Sequence, residues 1–225
     1  MKIVIAGGHG QIALRLTRLL AARGDEVVSL IRNPVHATDV AAAGGTAAVV
    51  DLESVDAAGL SAHLTGAEAV VFAAGAGPGS SAERKDTVDR AGAALLADAA
   101  ELLGIRRYVL VSSMGAGAEP PTGTDPTFVA YLRAKTAAEE DLRRRDLDWT
   151  ILRPGALTDA TGSGRVRLDP EVPGGRIPRD DVAAVLAGLL AEPGTAGRTL
   201  ELIEGDVPVA AAIDAVAGEP GTNPA

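Results

Sequence analysis

The 225-residue sequence contains no cysteine, which excludes a disulfide framework, a thiol nucleophile and any cysteine-based zinc or iron–sulfur site. Its three histidines, His9, His36 and His63, lack metal-ligand spacing, so no metal site is expected. Aromatic residues make up only 2% of the chain. The core must therefore be built from Ala, Val, Leu and Ile, and a base-stacking platform for single-stranded nucleic acid is not expected. Basic residues are in deficit: 21 Lys+Arg against 30 Asp+Glu leave a formal net charge of −9. Such a surface repels phosphate backbones and anionic lipid, so neither nucleic acid nor a membrane is an expected partner. No apolar run reaches the ~18 residues of a membrane span. The opening run at residues 3–6 stops at Gly7, too short for a secretory signal, which makes the cytoplasm the expected compartment.

The hydrophobic share is 47% and the charged share 23%, as in ordinary globular proteins, and the length suits one domain with a sizeable core. Short β-branched runs at 2–6, 26–31, 46–50, 69–74, 107–112, 149–152 and 199–203 read as strands buried on both faces. Ala/Leu-rich stretches with helical spacing lie between them, at 11–23, 54–64, 83–103, 127–145, 181–191 and 209–216. This alternation predicts an α/β fold with a doubly wound parallel sheet, strand order 3-2-1-4-5-6, a seventh strand at the edge and no large separate substrate domain. A single domain is expected over 1–217, with a small lid at about 155–178 and a disordered tail at 218–225.

The first strand runs into Gly7-Gly8-His9-Gly10-Gln11-Ile12-Ala13 and then a helix, a Gly-x-x-Gly-x-x-Ala pattern. Glycine there permits a tight turn and lets a pyrophosphate approach main-chain amides at the helix N-terminus. His9 is expected to contribute its backbone. The second strand ends in Arg32-Asn33 where an NAD-specific site would carry an acid, and a guanidinium suits a 2′-phosphate, so NADP(H) is favoured over NAD(H). Asp51-Leu52 is placed to meet the adenine edge, and Ala73-Ala74-Gly75 lets backbone pass close to the adenosine ribose and phosphates. Further along, Val111-Ser112-Ser113 closes the fifth strand, Tyr131 and Lys135 stand one turn apart on a helix, and Arg153-Pro154-Gly155 closes the sixth.

In this order, these motifs resemble the short-chain dehydrogenase/reductase superfamily. The glycine spacing and Arg-Pro-Gly segment look like its extended and atypical branches, the epimerase/dehydratase-like and flavin/biliverdin-reductase-like NAD(P)-binding proteins with Rossmann-like folds. The likeness covers about residues 1–205 and implies an oxidoreductase. It implies that Tyr131 is the general acid/base, that Lys135 supports it and contacts the nicotinamide ribose, and that Ser113, or else Ser112, holds the substrate oxygen. Pro154 and Gly155 are implied to wall the nicotinamide. A plainer reading makes Lys135 and Glu139 an i,i+4 surface pair and Asp180 or Asp181 a helix N-cap. Arg165, Arg167 and Arg176 either clamp an anion or are solvated loop charges.

The short lid favours a reductase of a small carbonyl, quinone or flavin over an epimerase or dehydratase that retains its cofactor. A non-catalytic NADP(H)-sensing protein is the third reading. A monomer or homodimer is expected.

Overall fold

In the computed structural model, which describes residues 1–77 and 79–218, successive side chains of each central strand enter different layers. In β1 (Lys2–Ala6), Ile3 and Ile5 face one layer while Val4 and Ala6 face the other. The same alternation divides Val71 from Phe72 in β4 (Ala69–Phe72) and Val109 from Leu110 in β5 (Arg107–Val111). The first layer is completed by α1 (Gln11–Ala22), α7 (Arg179–Ala191) and α8 (Val209–Gly218). The second is completed by α3 (Ala57–Ser61), α5 (Gly92–Leu102) and α6 (Pro126–Arg143). The scarce aromatics Phe72, Tyr108 and Trp149 all pack in this second layer, where the Tyr108 hydroxyl donates to the Ala93 carbonyl at 2.9 Å.

The remaining strands are β2 (Glu26–Ile31), β3 (Thr46–Val49), β6 (Asp148–Pro154), β7 (Ala156–Thr158), β8 (Arg165–Asp169), β9 (Arg176–Pro178), β10 (Arg198–Glu204) and β11 (Val207–Pro208). The main sheet has nine strands in the order β11-β8-β10-β6-β5-β4-β1-β2-β3. Its β3-β2-β1-β4-β5-β6 portion is parallel and has the expected order. Parallel crossovers send every strand's carboxyl end to one rim, where ligands bind in such sheets.

Several expectations need correction. The seventh strand, β10, is not the edge, because β8 pairs antiparallel with it and β11 pairs with β8. Residues 155–178 are accordingly more than a covering loop: they supply β8 to the main sheet and β7 and β9 to a separate parallel pair. The crossover from β2 to β3 contains a 3₁₀ turn at Pro34–His36 and the short helix α2 (Ala37–Ala42), masked in the sequence by the Asn33-Pro34 turn signal. Neither Asp180 nor Asp181 is the N-cap of α7; Pro178 is. Both aspartates instead accept from main-chain amides of 162–164, with Asp180 also receiving Arg15 Nε at 2.6 Å. That hydrogen bond holds the Asp180 carboxyl below the usual range. The expected tail at 218–225 begins in Gly218, the last residue of α8, and its remainder lies outside the described residues. Among the described residues no helix is long and apolar enough to cross a membrane.

Candidate functional site

At the carboxyl rim two hollows, of about 400 and about 550 Å³, share Ala73, Ala74 and Gly75 and so form one elongated cleft. The smaller begins at the glycine turn. Gly7 has φ +79°, and a Cβ there would meet Ala74 Cα at 2.5 Å. The Gly10 amide donates to the Gly7 carbonyl at 2.8 Å, closing the turn directly beneath the start of α1. Gly10 is the N-cap of α1, with no side-chain cap and no acidic residue in the first turn. The amides and positive dipole end of α1 are therefore left to an external anion. A side-chain-free cradle below an uncapped helix end fits a pyrophosphate, and hence a dinucleotide.

Beyond the cradle, the smaller hollow is lined by Leu30, Arg32, Asn33, His36, Asp51, Leu52 and Glu53. Arg32 is largely exposed, its Nη1 3.4 Å from Glu53 Oε2. Arg84 donates to the same oxygen at 2.6 Å and Thr87 to Oε1 at 2.7 Å, and these bonds hold the Glu53 carboxyl below the usual range. Asn33 Oδ1 accepts the Val35 amide, and Asp51 Oδ1 accepts the Glu53 amide. Three residues of the expected cofactor set line neither hollow. Gly8 packs on Ser29, where a Cβ would stand 2.4 Å from Ser29 Cβ. His9 stacks on His36 with ring centroids 3.6 Å apart and pairs with Asp39 at 2.8 Å. The Gln11 side chain is engaged by Arg15.

The larger hollow gathers Ile12, Val111, Ser112, Ser113, Tyr131, Lys135, Pro154 and Gly155, residues from four separate segments of the chain. The two serines differ. Ser112 is buried and its hydroxyl donates to Glu139 Oε1 at 2.6 Å, whereas the partly exposed Ser113 hydroxyl reaches only its neighbour's carbonyl, on Met114, at 3.2 Å. Lys135 and Glu139 do not form a surface pair, for both are buried and each has other partners. Glu139 also accepts from Arg153 and Arg143. Burial opposes the Arg153 charge, but the hydrogen bonds to Glu139 prevail and raise its pKa. Lys135 Nζ donates to the Val111 carbonyl at 3.1 Å and lies 3.2 Å from Asp89 Oδ1. That ion pair is off the line of a hydrogen bond, leaving Oδ1 without one, while Oδ2 accepts the Ala76 amide at 3.0 Å.

Sequence reasoning missed Lys85 and Asp89, which line this hollow. They lie on a π-helical turn, Lys85–Ala91, between the single turn α4 (Ala82–Arg84) and α5. The only available signal was their spacing of four on an otherwise Ala-rich helix. Phe128 and Leu157, both well exposed, form an apolar lip, and Arg179 at the margin is paired with Asp159 at 2.9 Å. Arg165, Arg167 and Arg176 do not line the cleft. Arg165 bonds the Asp206 carbonyl, Arg167 lies 3.7 Å from Asp169, and Arg176 borders a separate depression beside Ile203.

A doubly wound sheet with a glycine cradle at its first strand–helix junction defines a nucleotide-binding protein. Residues 7–193 match the NAD(P)H-binding family model, and the chain belongs to that family. It is 33% identical over 214 residues to the uncharacterized sugar epimerase YhfK of Bacillus subtilis, covering 95% of this chain and 99% of the relative. A solved Bacillus halodurans structure described as a candidate NAD-dependent epimerase/dehydratase superposes with TM-score 0.88 and 33% identity, over 96% of this chain and 99% of that one. The anaerobillin reductase ChuY of Escherichia coli O157:H7 superposes with TM-score 0.78 and 27% identity, over 92% and 98%. These neighbours fall in the epimerase/dehydratase-like and reductase-like groups to which the sequence motifs pointed.

Proposed function

We propose that this protein is an NADPH-dependent oxidoreductase acting on a small carbonyl, quinone or flavin-type acceptor. The observation that carries the reading is the composition of the larger hollow. It adjoins the glycine cradle, has Ser113 and Tyr131 among its lining polar groups, and opens past Phe128 and Leu157. A planar, largely apolar acceptor suits that lip. A sugar nucleotide would need several cations for its own diphosphate; of those lining the hollow, Arg179 is matched by Asp159 and Lys135 by Asp89, which leaves the single ammonium of Lys85.

In this reading, Gly7, Gly10, Ile12 and Ala73–Gly75 hold the dinucleotide through main chain and close packing, with Arg32 and Asn33 at its 2′-phosphate. Asp51 and Leu52 sit at the adenine, while Val111, Pro154 and Gly155 wall the nicotinamide. Gly8, His9 and Gln11 act through main chain rather than side chain, with the Gln11 amide among those at the start of α1. The bound coenzyme supplies hydride. Tyr131 Oη holds the proton that a carbonyl acceptor needs. Ser113 Oγ, with only a long bond to an adjacent carbonyl, is free to turn and orient the acceptor oxygen, whereas Ser112 is committed to Glu139. Lys135, fixed by Asp89 and Val111, presents its ammonium 5.7 Å from the Tyr131 ring centroid. There it supports Tyr131 and reaches the coenzyme ribose.

The test is NADPH oxidation across aldehydes, ketones, quinones and flavins. Tyr131→Phe is expected to lower kcat for the carbonyl acceptor by roughly 10²–10⁴-fold with coenzyme affinity unchanged. Wild-type turnover by Tyr131→Phe would end the acid/base assignment. The resemblance to YhfK supports a second reading, an epimerase or dehydratase that retains its cofactor. Such an enzyme would purify with nicotinamide absorbance, whereas a reductase exchanges its coenzyme with solvent.

A further inference from the structure

We propose that Lys85 is the docking point for an acidic group, a carboxylate or equivalent anion, carried by the acceptor. The inference rests on the acceptor-site reading above and specifies its substrate class.

Lys85 is only 7% exposed, yet it lines the larger hollow. Its Nζ donates to the Gly77 carbonyl at 2.8 Å and stands 5.4 Å from the Tyr131 ring centroid. Among the described residues no carboxylate pairs with it. The nearby carboxylate on the same π-helical turn, Asp89, is engaged by Lys135 and by the Ala76 amide. Asp125, the remaining acid of the lining, accepts the Thr127 and Phe128 amides as the N-cap of α6. The cleft floor thus holds two ammonium groups against the buried carboxylate of Asp89.

Removing an ammonium from water is costly when, among the described residues, it meets one carbonyl and one ring face but no carboxylate. Lys85 has further N–H donors beyond the one that Gly77 takes. An anion entering the cleft would supply both the missing charge and the missing acceptors. It would also be placed beside Tyr131, so that recognition of the acid fixes the distance of the reducible group from the proton donor. The π-helical turn fits this role, because such turns occur mostly as single insertions and frequently at functional sites.

Calorimetric titration with 2-naphthoate and 2-naphthamide, planar probes differing in charge, tests the inference on the NADP⁺-saturated protein. The acid is expected to bind about tenfold more tightly than the amide. Lys85→Gln is expected to abolish that preference and Lys85→Arg to retain part of it. Equal affinities in the wild-type protein, no binding of the acid at millimolar concentration, or a preference that survives Lys85→Gln would each overturn the proposal. Where Lys85→Gln does not fold, Lys85→Arg carries the comparison, and equal wild-type affinities still overturn the proposal. A protein that binds NADP⁺ without discriminating the probes refutes the Lys85 site alone. One that binds no NADP⁺ refutes the coenzyme reading, and the probe comparison without coenzyme still decides Lys85.

Discussion

Around residues 7–10 the cleft is made of main chain, held close by the absence of side chains, whereas around Tyr131 it is made of charged side chains drawn from distant segments. Gly7 lies against the backbone of Ala74, and the uncapped start of α1 provides the polarity. On the other side Asp89, Lys135, Lys85 and Ser113 arrive from the π-helical turn, α6 and the end of β5. A binding surface of amides keeps a fixed charge at every pH. One built from ammonium and carboxylate groups depends on which charges are matched. The first arrangement suits a ligand of constant chemistry and the second suits selection among ligands.

The largest expected effect comes from giving the main-chain half a side chain. Gly7→Ala combines an unfavourable positive φ with a 2.5 Å approach to backbone, and should cost about 4 kcal/mol of stability and abolish coenzyme binding. Gly24→Ala sharpens the comparison: φ is similar at +88°, but nothing lies within 4 Å, so only about 1 kcal/mol should be lost. Denaturant titration of both variants separates the clash from the conformational strain. If Gly7→Ala cost no more than Gly24→Ala, the close approach to Ala74 would not matter energetically.

In the side-chain half, Lys135→Met strands the Asp89 carboxylate at 1% exposure. Breaking a buried pair in this way should cost about 3 kcal/mol, or roughly 10 °C in Tm for a chain of this size. The double variant Lys135→Met/Asp89→Leu should recover most of the loss, because no uncompensated charge remains. Thermal unfolding of the three proteins checks this. Additive losses would mean that the two residues act independently and that the 3.2 Å contact carries no coupling.

The same contrast governs what could be read from sequence. The Gly7, Gly10 and Ala13 spacing and the strand–helix alternation are local, so the parallel order 3-2-1-4-5-6 and the cradle were legible. The helical spacing of Tyr131 and Lys135 was legible too, but not what Lys135 touches. Its partner Asp89 is 46 positions away, and only the folded packing of the π-helical turn on α6 brings them together. Glu139 looked like a surface partner for Lys135 because helical spacing takes no account of Arg153 on β6, which claims it. Asp180 and Asp181 resembled a cap because capping depends on short polar residues at a boundary. Their oxygens instead satisfy the 162–164 backbone, a requirement set by the course of that loop rather than by the helix. Lys85 carried no signal beyond its spacing of four from Asp89, since an exposed lysine and a buried one are spelled alike.

Arg32 lies between these regimes, a side chain at the rim of the main-chain half, and its expected effect is smaller than those of Gly7→Ala and Lys135→Met. Its guanidinium is 3.4 Å from Glu53, which Arg84 holds more closely at 2.6 Å, so Arg32 is the less committed of the two cations. A 2′-phosphate brings more negative charge than one carboxylate oxygen and accepts in the fork geometry of a guanidinium. Arg32→Ala should therefore weaken NADPH binding about tenfold and leave NADH binding nearly unchanged. Because the site is open to solvent, raised salt should shrink the difference between the two coenzymes in the wild-type protein and have little effect on it in the variant. An unaltered NADPH/NADH affinity ratio would remove Arg32 from phosphate recognition. A ratio that collapses only in Arg32→Ala/Arg84→Ala would show that Glu53 holds both guanidiniums for the phosphate to displace.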